Sequence, residues 1–166
     1  VTLYGSSISY FTGKMETYFR VKGIAYRNQA MNRALMTRAK RETGVFQLPS
    51  VELANGHWMT DTTRMIQWFE QQMPANPVIP RDPLQRFFSL LLEDYADEWL
   101  WRPAMHFRWY GDEGAMHLSR HIANEILHDI PLPAWLKRLY FRRRQRNGYT
   151  AGDGINESNR LQVEAI

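Results

Sequence analysis

The sequence predicts a chain of two parts, a small mixed α/β half followed by an all-α half. Three observations carry this reading. Strand-like and helix-like patterns alternate through the first seventy or so residues. "PANPVIPRDP" (74–83) then packs four prolines into ten positions, an extended linker that no helix can cross. Beyond it the apolar residues follow helical spacing only.

The elements follow in order. Val1–Tyr4 reads as a short strand ending in a Gly-Ser-Ser loop. From Thr12 to Lys22, Met15, Tyr18, Phe19 and Val21 suit a helix that Gly23 closes. Ala25–Ala30 is a weaker strand. Asn32 can cap the basic segment "RALMTRAKRET", which Gly44 ends and which is expected to be exposed on one side. Pro49–Ala54 alternates apolar and polar residues through Val51 and Leu53. Asn55-Gly56 predicts a two-residue hairpin turn with both positions tolerating positive φ, and His57–Thr60 returns antiparallel. Thr60 or Asp61 caps a helix whose inner face carries Met65, Ile66, Trp68 and Phe69. In the second half, Leu84–Tyr110 is a long helical pattern that Pro103 should kink or break. Gly111–Gly114 reads as a turn and 115–128 as a helix. "DIPLPAW" interrupts before a basic helix at 135–146. Gly148–Gly154 reads as loop, and a last helix starts near Glu157.

Strand, helix, strand, helix, strand, strand, helix describes a four-stranded mixed sheet with helices on both faces, the thioredoxin-like arrangement. A helical bundle domain completes the predicted architecture.

Composition narrows the function. The 166 residues fit one ordinary domain or two small ones, and 44% hydrophobic with 23% charged residues argues against disorder. No apolar run approaches the roughly 18 residues of a membrane span, and the N-terminus lacks the layout of a signal peptide. Without cysteine there is no disulfide, thiolate zinc site or thiol nucleophile, which suits a reducing cytoplasm. Much of the +4 net charge sits in "KRLYFRRRQR" (137–146). No nucleic-acid module accompanies it, so a solvated helical face is expected and no nucleic-acid partner. His117 and His121 are spaced i, i+4, as some zinc ligands are. No HExxH or other ligand frame appears, and no metal is expected.

"LYGSSISYFTGKMETYFRVKGIAYR" (3–27), "GVFQLPSVEL" (44–53), "MTDTTRMIQWFE" (59–70), the Pro-rich linker and the helical remainder together resemble a glutathione S-transferase over nearly the whole chain. The resemblance implies a glutathione-binding domain at 1–73, the linker at 74–83, and an incomplete all-α C-terminal domain at 84–166. The family continues past this point with further helices, including a buried Asp in a capping box. The resemblance also implies a cis-proline at Pro49, which turns the backbone of Leu48 outward so that glutathione's cysteinyl unit pairs with it as a short added strand. Asp61 and Thr62 stand where the family holds the γ-glutamyl end: Thr62 would take its carboxylate at a helix N-terminus and Asp61 its ammonium, alongside ordinary capping. Phe11, Lys40 and Gln47 are further candidate glutathione contacts.

Family members place Tyr, Ser or Cys against the glutathione sulfur. By the same resemblance Ser9 occupies the serine-type position, and Tyr10 is the alternative under a shifted gap; a site with no dedicated activator is the third reading. A free thiol of pKa about 8.5 is mostly protonated at pH 7. Lowering that pKa by two units takes about 2.7 kcal/mol, within reach of one hydroxyl hydrogen bond and a helix N-terminus. The absence of cysteine excludes the mixed disulfide used by cysteine-type members. Tyr95, Trp99, Arg102 and His106 are the candidate second-substrate pocket. The expected function is conjugation of glutathione, as co-substrate, to a hydrophobic electrophile by a cytoplasmic homodimer. A non-catalytic interaction module that keeps the fold is the alternative.

Overall fold

The computed structural model describes residues 1–150, 152 and 154–165, the side chains at 149 and 150 excepted. They form two compact units. One comprises Val1–Ile79 with Asn124–Pro131, the other Pro80–Ala123 with Leu132–Ile166.

The first unit is built on β1 (Thr2–Gly5), β2 (Arg27–Ala30), β3 (Ser50–Glu52) and β4 (Trp58–Thr60), in the order β2-β1-β3-β4. β1 pairs parallel with β2 and antiparallel with β3, which pairs antiparallel with β4. This is the mixed thioredoxin-like sheet. Alternation along β1 sends successive side chains to opposite faces. Leu3 joins Val51 in a core with Met15, Tyr18 and Phe19 of α1 (Tyr10–Lys22) and Met65 and Phe69 of α3 (Thr62–Gln72). Tyr4 joins Trp58 in a second core with Met31 and with Ala39 of α2 (Arg33–Thr43).

The caps follow local chemistry. Asn32 accepts the Leu35 N–H, while Gly23 and Gly44 close α1 and α2 in the left-handed region that lacks a Cβ penalty. α1 starts at Tyr10, two residues before the expected Thr12, because Ser9 caps it, and Val21 faces solvent rather than the core. The hairpin also departs from expectation. Leu53 and His57 flank a three-residue loop, closed by Gly56 N–H to Leu53 C=O and Leu53 N–H to His57 C=O, each 2.9 Å. Only Gly56 has positive φ, because a type I turn followed by a left-handed residue joins the strands here in place of the two-residue turn.

The second unit is helical: α4 (Pro83–Asp94), α5 (Trp101–Tyr110), most of α6 (Asp112–Ile126), α7 (Ala134–Gln145) and α8 (Arg160–Glu164). Asp82 caps α4 with Pro83 in its first turn. The break expected at Pro103 falls upstream, as a π-helical turn at Tyr95–Trp99 closed by Leu100 N–H to Tyr95 C=O at 3.0 Å. A proline ring crowds the carbonyl four residues back, and a wider turn there makes room for it. The expected turn at 111–114 shrinks to Gly111. Arg146 holds that junction, donating to the Trp109 and Tyr110 carbonyls at 2.8 and 3.1 Å and to Asp112 at 2.7 Å. A π-helical turn at Arg146–Thr150 replaces the start of the loop expected at 148–154, of which 151 and 153 lie outside the described residues. The last helix is shorter than expected, beginning at Arg160, and 166 lies outside the described residues. Trp109, His106, Ile122 and Phe141 are buried in this unit.

Candidate functional site

Strand register builds the site. Tyr4 pairs with Ser50, and Ser50 with Thr60, so the C-terminal end of β1, the N-terminal end of β3 and the C-terminal end of β4 lie side by side. Parallel pairing of Gly5 with Ala30 adds the C-terminal end of β2. Each of α1, α2 and α3 starts just after one of these ends. Three helix N-termini therefore gather at one edge of the sheet, each carrying roughly half a positive charge and unpaired N–H groups. Anionic ligands are favoured there.

At β1, the turn Ser6–Ser9 is closed by Ser9 N–H to Ser6 C=O at 3.0 Å. Ser9 Oγ accepts the Thr12 N–H at 3.3 Å, and the Ser6 N–H donates to Thr12 Oγ1 at 3.3 Å. Since Ser9 Oγ accepts in its cap, its own proton remains able to donate elsewhere. Tyr10, in the first turn of α1, is exposed; Phe11 beside it is half-buried, the two rings edge to face. At β3, the Leu48–Pro49 peptide is cis. Pro49 is buried, Leu48 packs on the Tyr4–Trp58 core, and Gln47 is exposed with its carbonyl accepting the Ser50 hydroxyl at 3.1 Å. At β4, Asp61 has φ 72° and ψ 105°, and its Oδ1 caps α3 through the Thr63 and Arg64 N–H groups at 3.1 and 3.3 Å. Thr62, the first residue of α3, is buried.

Ser9, Tyr10, Phe11, Leu48, Pro49, Asp61 and Thr62 thus flank the same edge of the first unit. Lys40 lies in the last turn of α2, away from that helix's N-terminus, and is exposed. Its neighbour Arg38 is committed elsewhere, donating to Glu52 at 2.6 Å over the Trp58 ring. The Tyr4 hydroxyl, donating at 2.7 Å, and then Arg38 hold Glu52 below its usual carboxylate range, while burial and then Glu52 push the Tyr4 phenol up. Tyr95, Trp99, Arg102 and His106 belong to the second unit. Tyr95 and Trp99 are exposed, the Arg102 guanidinium stands over the Trp99 ring, and His106 is buried with Nε2 3.1 Å from Glu164. Among the described residues no group of three or more metal-ligating side chains converges.

Sequence reasoning missed Glu125. Its Oε2 accepts the Ser6 hydroxyl at 2.6 Å and the Ser7 N–H at 3.1 Å, with Oε1 3.3 Å from that N–H. Residues 124–131 return to the first unit, and no local pattern in "NEILHD" announces it.

The sheet order and the gathered helix N-termini define a thioredoxin-type fold with an anion-receptive edge. Residues 3–77 match the model of the glutathione S-transferase N-terminal domain. Among solved structures, it is similar to a glutathione S-transferase from Methylobacterium radiotolerans in complex with glutathione sulfonate. The identity is 20% and the TM-score 0.57, over 89% of this chain and 62% of that one. A glutathione transferase family member from Pseudomonas fluorescens with bound glutathione is 22% identical at TM-score 0.51, over 88% and 66%. The β-etherase LigF from Sphingobium is 19% identical at TM-score 0.60, over 98% and 68%. The chain therefore spans less than two thirds of the length of the first two. No curated protein matches the chain significantly.

Proposed function

We propose that the chain binds glutathione and activates its thiol for conjugation to a hydrophobic electrophile. The observation that carries this reading is the convergence of Ser9, the Leu48–Pro49 backbone and the Asp61–Thr62 helix start at one edge of the sheet. Glutathione carries two carboxylates and one ammonium, and three helix N-termini suit its net negative charge. In this reading 1–73 is the glutathione-binding domain, 74–83 its linker and 84–166 the helical domain. Leu48 pairs with the cysteinyl backbone, Thr62 takes the glutamyl carboxylate and Asp61 the ammonium. Gln47 and Phe11 border the peptide.

Ser9 donates a hydrogen bond from its hydroxyl to the sulfur and, with the α1 N-terminus, favours the thiolate. The thiol proton leaves to solvent. The thiolate then attacks an electrophilic carbon, forming the S–C bond as the leaving group departs with its electron pair. Stabilisation and proximity do the work, with no general base. Tyr95, Trp99, Arg102 and His106 are the residues proposed for the electrophile. A second copy is proposed against α4, whose Leu84, Phe88, Leu91 and Leu92 are exposed. The setting is a reducing cytoplasm, where glutathione remains a thiol, and the role detoxification.

Calorimetry with glutathione, then conjugation assays on Ser9→Ala and Tyr10→Phe, test the reading. Glutathione should bind, and S9A should lose at least tenfold in rate while Y10F stays near wild type. The reverse order would assign the sulfur to Tyr10. Binding without turnover of any electrophile would leave a non-catalytic module, and no binding at millimolar glutathione would overturn the proposal.

A further inference from the structure

We propose that Glu125 selects the charge of the second substrate, admitting neutral or cationic electrophiles and turning away anionic ones. The inference rests on the reading that places the sulfur at Ser9. Glu125 is fixed by the buried Ser6 hydroxyl at 2.6 Å and by the Ser7 N–H at 3.1 Å. Both donors belong to the turn that ends at Ser9, closed by Ser9 N–H to Ser6 C=O. A β-turn brings its first and last Cα atoms within about 7 Å. The carboxylate is thereby anchored to the turn whose last residue carries the hydroxyl assigned to the sulfur.

Its charge works against a second anion there. Glu125 is half-buried and Ser6 buried, so solvent screens this position less than an exposed one. At about 7 Å and an effective permittivity of about 40, Coulomb repulsion between two unit charges amounts to roughly a tenfold loss of affinity. The thiolate feels the same repulsion, offset by the α1 N-terminus and the Ser9 hydroxyl. A substrate carboxylate attached near the sulfur has no such compensation. A tether alone would not need the charge, because the carbonyl oxygen of a glutamine can accept the same two hydrogen bonds.

Conjugates of glutathione isolate the effect, because their sulfur is neutral and only the substituent differs. S-carboxymethylglutathione and S-carbamoylmethylglutathione are near-isosteric, one anionic and one neutral at the substituent. Titration calorimetry on the wild-type chain should show the carboxymethyl conjugate binding about tenfold more weakly. In Glu125→Gln that ratio should fall to near one. Equal affinity for the two conjugates in the wild type overturns the proposal without any variant, as does a tenfold ratio that survives in E125Q. Either result leaves glutathione binding standing. Failure of glutathione and of both conjugates to bind overturns the transferase reading as well.

Discussion

Lys22 is a residue whose loss the first unit should feel. Its Nζ lies 2.7 Å from the Ala75 carbonyl, 2.8 Å from that of Met73, 3.1 Å from that of Asn76 and 3.0 Å from Glu70 Oε1. Its side chain is 1% exposed. Glu70 in turn accepts the Tyr18 hydroxyl at 2.9 Å and the Val78 and Ile79 N–H groups at 2.9 and 3.4 Å. One ammonium and one carboxylate thus fasten both ends of the segment 73–79 to α1 and α3. An exposed ion pair is worth about 0–1 kcal/mol. Removing one member of a buried pair costs about 3–5 kcal/mol, because the other charge is left without its partner. Lys22→Met keeps the stem and deletes the charge. Since Glu70 retains Tyr18 and two backbone amides, the lower end of that range applies, about 3 kcal/mol. Urea unfolding of K22M, E70Q and the double variant measures it, and the double variant should lose about 1–3 kcal/mol less than the sum of the singles. A K22M loss under about 1 kcal/mol, or strict additivity, would refute the reasoning.

Three further outcomes follow from the same structure. Glu70 sits below its ordinary value of 4.5: burial alone would raise it, but Lys22, Tyr18 and the Ile79 and Val78 amides together prevail. A depressed carboxylate contributes stability above its unfolded pKa and loses it as pH falls through the folded one. Acid titration should therefore weaken the wild type below about pH 4.5 more steeply than E70Q, as read from unfolding midpoints. Gly5→Ala would set a Cβ 2.4 Å from Thr12 Oγ1 and 2.6 Å from its Cγ2, and buried Thr12 has little room to yield. A loss of about 1–3 kcal/mol should appear in thermal melts. Asp61→Gly relieves a positive φ that costs an Asp about 1–3 kcal/mol and gives up a cap that Gly replaces at a few tenths of a kcal/mol. The melting temperature should hold or rise while calorimetry shows glutathione affinity falling at least tenfold.

What the sequence made legible was local. Asn32 and Gly44 bracket α2, and Gly23 closes α1, because a cap is decided by a side chain and a backbone angle within a few residues of each other. The strand order was legible too, since parallel strands joined by helices and a closing hairpin leave few topologies. The Asn55-Gly56 turn was not, because one residue of loop length separates two hairpin geometries and the flanking pattern suits both. The π-helical turn answers Pro103 four residues upstream of the residue at fault. Glu125 was invisible for a stronger reason: its partner Ser6 lies 119 positions away, and only tertiary folding joins them.

The charge at the site follows the same division between local and distant causes. The net charge of +4 draws much of its excess from 137–146, in the second unit, and so describes that helix rather than the sheet edge that carries the candidate site. At the sheet edge the positive field comes from backbone, from three helix starts set side by side by strand register. The side chains there that use those N–H groups are Ser9, Asn32 and Asp61, two neutral and one acidic. Residue counts miss a field made by peptide dipoles. The structure shows the β1–α1 loop already receiving one carboxylate, that of Glu125, through a backbone N–H and a hydroxyl, the donor types by which the glutamyl carboxylate of glutathione is proposed to bind at Thr62.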